Sequence, residues 1–164
     1  MAKFEGTAGN DIINGTAGAD IVEGKGGNDN IRGLGGDDLL KSDAGRDVIY
    51  GGGGNDDIQG DSGADRLFGG SGADTLEGGT GNDILTGGGG RDLFVFGDAL
   101  SGADRITDFT NNRDLIQFDL AAVNSFNDLS VSQSGADTLV SWSGGSVLLL
   151  GVSASVIGAE DFLF

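Results

Sequence analysis

The chain has no cysteine and no histidine, a single tyrosine and a single tryptophan, and nine basic residues against 26 acidic ones. Each shortage excludes something. Without cysteine there is no disulfide and no thiol nucleophile, a composition compatible with an oxidising exterior. Without histidine, Ser-His catalysis and histidine ligation of a metal are ruled out, and with both residue types missing zinc is a poor fit. A formal net charge of −17 makes nucleic acid and anionic membrane surfaces poor partners. No apolar run approaches the length of a membrane-spanning helix, and Met1 to Glu5 lacks the apolar core of a cleavable signal peptide.

Glycine, by contrast, is abundant and unevenly placed. Of 34 glycines 27 precede Phe96, whereas seven of the nine phenylalanines lie from Phe94 onward. That shift predicts a lead-in over 1–5, a repeat region over 6–95 and a compositionally different tail over 96–164.

The repeat region is one nine-residue phrase, Gly-Gly-x-Gly-x-Asp-x-U-x with U a large apolar residue, written ten times without a break. Position four is always glycine, from Gly9 to Gly90. Position six is always aspartate: Asp11, Asp20, Asp29, Asp38, Asp47, Asp56, Asp65, Asp74, Asp83 and Asp92. Position eight is always apolar, from Ile13 through Val22 and Leu67 to Phe94. Positions one to six can take positive φ and turn sharply. Positions seven to nine read as a short strand whose alternate side chains face opposite ways, with position eight inward. Strand, turn, strand and turn close one coil of a flattened parallel solenoid every two phrases. Aspartates 18 residues apart then stack along both edges, about 4.8 Å apart.

Carboxylates stacked at about 5 Å repel by roughly 1 kcal/mol per pair in water, and by several times that at lower effective dielectric. A hard cation between the turns reverses the sign. Calcium suits the donor set, because it takes six to eight oxygens in a tolerant geometry, whereas magnesium prefers to keep its waters. The glycine-rich turns supply the backbone carbonyls: Gly51, Gly54, Gly60, Gly63, Gly69, Gly72, Gly78, Gly81, Gly87 and Gly90. The solenoid interior is a single file of small side chains, so metal binding is expected to supply much of the folding free energy.

These phrases resemble the RTX (repeats-in-toxin) calcium-binding family, whose nonapeptides fold as a right-handed parallel β-roll. The resemblance implies an all-β protein, with each calcium between turns n and n+2, held by the position-six aspartates of both and by carbonyls of positions one to four. Ten turns on two edges then give roughly eight ions, about +16 against −17. Position two departs from the family's glycine at Thr7, Thr16, Lys25, Leu34, Asp43 and Asp61, and position one at Ser42. Sites built from the first four turns are expected to bind more weakly than the uninterrupted phrases from Gly69 onward.

A solenoid exposes its last coil and needs a cap; the tail is expected to supply one, a small antiparallel β unit. Ala99 to Ile106 reads as a degraded eleventh phrase shifted by three residues. Its Asp104 is a candidate to close a site against Asp83, with Asp108 a second candidate and a plain turn the alternative for both. Asp104–Phe109 and Asp114–Phe118 read as strands flanking a turn at Asn111-Asn112. Asp137–Trp142 and Ser146–Leu150 read as a hairpin around Gly144-Gly145. Tyr50 and Phe68, both at position nine, are expected to stack on one outer face. The tail also resembles the C-terminal part of serralysin-type secreted proteases, on Asp104-x-Ile106-x-Asp108-Phe109, Asp114-x-Ile116, Gly151-Val152 and the closing Asp161-Phe162-Leu163-Phe164. In that family the chain end is an uncleaved signal for a type I secretion apparatus of Gram-negative bacteria. An ordinary last strand is the alternative.

No nucleophile with a base, no phosphate loop and no separate carboxylate pair is evident, so no enzymatic activity is expected of this chain. The function expected is that of an extracellular calcium-binding module that folds on binding the ion and carries its own export signal. Two alternatives stand beside it. One is a secretion and stability module at the end of a larger extracellular hydrolase. The other is a small matrix or adhesion protein, with an extracellular polysaccharide or a cell surface as partner.

Overall fold

The computed structural model describes residues 1–97 and 101–164, so the start of the eleventh phrase, at Ala99 and Leu100, lies outside the described residues. Within them every phrase from the first to the tenth makes one turn and one main strand, with short extra strands at Ala44–Gly45, Ser62–Gly63 and Thr80–Gly81 in three of the turns, and successive main strands go to opposite sheets. One sheet stacks Ala2–Glu5, Asp20–Glu23, Leu39–Lys41, Asp57–Gln59, Thr75–Glu77, Leu93–Phe96, Leu115–Phe118 and Phe162–Leu163, all in parallel. The other stacks Ile12–Asn14, Asn30–Gly35, Val48–Gly53, Arg66–Ser71, Ile84–Gly89, Gly102–Ile106 and Gly145–Leu149, also in parallel. This is a parallel β-roll.

The register follows from the repeat. Partners differ by 18 residues from Ile12↔Asn30 to Thr75↔Leu93, so like positions stack on like. Position eight then forms the core. Val22, Ile31, Leu40, Ile49, Ile58, Leu67, Leu76, Leu85 and Phe94 are fully buried between the sheets. Each such side chain contributes about 1.5–3 kcal/mol by leaving water, but the file is only one residue wide, and the turns contribute no apolar surface.

The outer faces carry secondary support. Tyr50 and Phe68 stack with ring centroids 4.8 Å apart and planes 8° apart, as their register requires. Arg32 lies over the Tyr50 ring at 5.7 Å and Arg66 over Phe68 at 5.8 Å, contacts worth about 0.5–1 kcal/mol each at exposed sites.

The parallel stack does not stop at Phe96. Gly102–Ile106 pairs with Ile84–Gly89, and Leu115–Phe118 with Leu93–Phe96, each keeping an apolar residue, Ile106 or Ile116, in the position-eight file. The two strands read from sequence as flanking Asn111-Asn112 therefore belong to opposite sheets and are half-coils. The physical reason is that Asp-x-Ile repeats the inward pattern of the phrase, whereas the length of the intervening turn is free to grow. Among the named strands, antiparallel pairing joins Ser130–Ser134 with Asp137–Trp142 and Asp137–Trp142 with Gly145–Leu149. Ser134-Gly135-Ala136-Asp137, which mimics a repeat, is the turn between the first two of these strands. An aromatic cluster closes this end: Trp142 meets Phe96 and Phe118 edge-on, and Phe118 stacks with Phe162 and Phe164. The other end is barer, with Ile12 76% exposed. Among the described residues no helix is long and apolar enough to cross a membrane.

Candidate metal centre: two ladders of buried aspartates

The 18-residue register places the position-six aspartates in two columns, one along each edge of the roll. Each is tied to the next coil by the same bond. The backbone N–H of Asp11 donates to Asp29 Oδ1 at 2.9 Å, Asp29 to Asp47 at 2.7 Å, Asp47 to Asp65 and Asp65 to Asp83 at 2.8 Å. On the opposite edge Asp20 donates to Asp38 at 2.8 Å, Asp38 to Asp56 and Asp56 to Asp74 at 2.9 Å, and Asp74 to Asp92 at 3.1 Å.

The tail extends both columns. Asp83 N–H donates to Asp104 Oδ1 at 2.8 Å and Asp92 N–H to Asp114 Oδ1 at 3.2 Å. Asp104 thus takes the rung its sequence position suggested. Asp108 does not form a rung; its carboxylate accepts from Gly87 N–H at 3.0 Å and Gly88 N–H at 2.7 Å. Asp114 was not anticipated as a rung, because the step from Asp92 is 22 residues instead of 18. The signal was present in Asp114-Leu115-Ile116, which is positions six to eight of the phrase. Each column therefore holds six aspartates, and ten inter-coil steps in all.

Using Oδ1 for the ladder leaves Oδ2. Eight carboxylates, Asp29, Asp38, Asp47, Asp56, Asp65, Asp74, Asp83 and Asp92, bury Oδ2 without a protein hydrogen-bond partner. Their residues are at most 3% exposed. A buried acceptor left unpaired costs about 1–3 kcal/mol, and more when charged. In seven of the eight, all but Asp47 with Ser42 at position one, these oxygens point at the position-one glycine. A methyl group on Gly60 would sit 2.7 Å from both Asp65 Oδ2 and the carbonyl oxygen of Gly78 in the next coil. The same convergence recurs at Gly33, on Asp38 Oδ2 and Gly51 O; at Gly51, on Asp56 Oδ2 and Gly69 O; and at Gly69, on Asp74 Oδ2 and Gly87 O. At position four the carbonyls of Gly54, Gly63, Gly72 and Gly81 face Gly72, Gly81, Gly90 and Gly102 of the following coil.

The electrostatics match this geometry. Burial first, then the neighbouring rungs Asp74 and Asp38, push Asp56 up to about 6. Burial raises Asp65 to about 7, with Asp83 and Asp47 adding to it, and raises Asp104 to about 7. Asp92 reaches about 6, and Asp29, Asp38, Asp47, Asp74 and Asp83 shift the same way, each with burial as the largest cause. Asp20 is the exception: burial raises it, but the Thr16 N–H and hydroxyl, together with the Ala2 N–H and the N-terminal charge, outweigh that and hold it below its ordinary value.

Anionic oxygens and carbonyls turned into the same small volume, with no protein donor, fit a hard divalent cation. Side-chain carboxylates alone do not make a cage. Among the described residues no group of three or more acidic side chains converges on one point. The donor set is mixed, and calcium tolerates that mixture better than zinc or magnesium.

Comparison with known proteins agrees. The model of the RTX calcium-binding nonapeptide repeat matches residues 4–31, 32–67 and 68–99. No curated protein matches by sequence. Among solved structures, the extracellular lipase LipA from Serratia marcescens is 21% identical with a TM-score of 0.54, over 100% of this chain and 40% of the lipase. The AlgE6R3 and AlgE6R2 subunits of the Azotobacter vinelandii mannuronan C5-epimerase are 24% and 30% identical, with TM-scores of 0.40 and 0.44. The former alignment covers 97% of this chain and 80% of that one, the latter 78% and 88%. This chain thus spans well under half the length of the lipase that it resembles in fold. With more than half of its residues matched by the repeat model, the chain belongs to the RTX calcium-binding nonapeptide repeat family.

Proposed function

We propose that this chain is an extracellular, non-catalytic module that folds as it binds calcium. The observation that carries this reading is the set of eight buried Oδ2 atoms without a protein partner, four on each edge. About eight ions would be held, one for each of these carboxylates, with Asp104 completing the final step of its edge from the opposite side. When bound, calcium supplies the positive charge that lets adjacent rungs stay ionised. The chain's own residues do the rest: Oδ1 fixes the spacing of the coils, the glycine turns present carbonyls, and position eight excludes water from the interior.

The magnitudes favour coupling. An ion at one hundred times its Kd adds about 2.7 kcal/mol per site to folding. Several such sites outweigh the unpaired-acceptor costs that the metal-free roll carries. In calcium-poor cytosol the chain would stay extended, held open by a net charge of −17; in calcium-rich surroundings it would close. For export we read Asp161-Phe162-Leu163-Phe164 as the signal for a type I apparatus of a Gram-negative bacterium. In the folded chain Asp161 is buried, accepting from Asn111, Asn112 and Gly158, and Phe162 pairs in the stack beside Ile116. Recognition would therefore have to precede folding. A second reading, a C-terminal module of a larger extracellular hydrolase, is supported by this chain aligning end to end with 40% of a lipase. An anionic polysaccharide partner would need bridging metal, because the chain itself is strongly acidic.

Circular dichroism during a calcium titration from chelator should show a disordered chain gaining β structure, with magnesium far less effective. A β signal indifferent to chelator would refute the coupling. Deleting residues 161–164 should abolish export through a type I apparatus from a Gram-negative host; unchanged export would remove these residues from the signal. The acid response follows from the raised carboxyl values. Protonation favours the folded state because Asp56, Asp65, Asp92 and Asp104 titrate near 6 to 7 when folded and near 3.9 when unfolded. That stability is fully present below about pH 4 and is lost as the pH rises through 6 to 7. In chelator, β structure should therefore increase between pH 8 and pH 5; no change, or a loss, would contradict the burial of these carboxylates.

A further inference from the structure

The twelve rungs are not alike, and the difference tracks position two of the turn. In the third to tenth phrases this position is Lys25, Leu34, Asp43, Gly52, Asp61, Gly70, Gly79 and Gly88, and all eight have positive φ, between 62° and 117°. Their aspartates, four residues on, are the eight whose Oδ2 is buried without a partner. For lysine and leucine such a φ is uncommon and strained, so the turn holds its shape against local preference.

In the first two phrases position two is threonine, outside the positive-φ set, and there the carboxylate is closed from within. Thr7 donates from its backbone N–H to Asp11 Oδ2 at 2.6 Å and from its hydroxyl at 2.9 Å. Thr16 does the same to Asp20 Oδ2, at 2.6 and 2.9 Å. The hydroxyls are fixed in turn by Gly9 N–H and Gly18 N–H, both at 3.2 Å. The same residue type recurs at the last rung, where Thr110 N–H donates to Asp114 Oδ2 at 2.8 Å and Arg113 adds its guanidinium. Two donors on one carboxylate oxygen, both from its own phrase, occupy the lone pairs a cation would use.

We propose that position two decides whether a turn is a cation site: a residue at positive φ leaves the aspartate open, threonine closes it, and Thr7 and Thr16 make the first two turns metal-free ends. This rests on the calcium reading above and sharpens it. Ten inter-coil steps are available, but eight ions bind. The closed turns also give the roll a start that holds together before any ion arrives, at the end with the least core.

Equilibrium dialysis of the full chain at saturating calcium, with ions counted by atomic emission, tests this. The unaltered chain should bind eight. The Thr7→Gly/Thr16→Gly double variant, free to adopt positive φ at both turns, should bind ten. Gly70→Thr, which imposes the closing residue on an inner turn, should lower the count to seven. Circular dichroism in calcium checks that each remains folded; should Gly70→Thr not fold, the double variant at the exposed first coils decides alone. Ten ions on the unaltered chain, or eight on the double variant, would overturn the proposal while leaving calcium binding intact. No ions on the unaltered chain would overturn both.

Discussion

Eight carboxylate oxygens are buried in this protein with nothing of the protein's own to satisfy them, and most of its design answers to that fact. Protonation is the remedy open to the metal-free chain, and burial accordingly raises the inner aspartates, Asp56 and Asp92 to about 6 and Asp65 to about 7. A hard divalent cation is the other remedy, and it converts the cost of each rung into a bond between coils. The core alone is a poor substitute. Within the ten phrases it is a single file of position-eight side chains, which buries little for so long a repeat region.

The sequence was most legible where the repeat is strict. Asp11 to Asp92, the inward file from Ile13 to Phe94 and the stacking of Tyr50 on Phe68 all follow from a period of nine and the two faces of a strand. Legibility failed where the period changes. Asp114 is a rung although its step is longer, because pairing depends on the strand that follows the aspartate and not on the length of the turn before it. The strands around Ile106 and Ile116 read only as neighbours across a turn, and not as half-coils of opposite sheets, for the same reason: alternation fixes which face is buried, but not which neighbour a strand chooses. The closing of Asp11 and Asp20 by threonine depends on the sign of one φ angle, which glycine-rich spacing does not disclose.

The two ends of the roll are built differently. At the C-terminal end, Trp142, Phe118, Phe162 and Phe164 provide the apolar cover that the repeats lack. At the N-terminal end, hydroxyl and amide donors stand where cations would be. Between them the ladder is uniform. On the proposed reading, such a chain would be extended where calcium is scarce and rigid where it is plentiful.

The central claim is that calcium completes the interior of the inner turns. Anomalous difference density from crystals grown in calcium tests it most directly. The account predicts peaks beside Oδ2 of Asp29, Asp38, Asp47, Asp56, Asp65, Asp74, Asp83 and Asp92. Crystals that show the same parallel roll with no peaks along either edge, or with these carboxylates turned out to solvent, would contradict it.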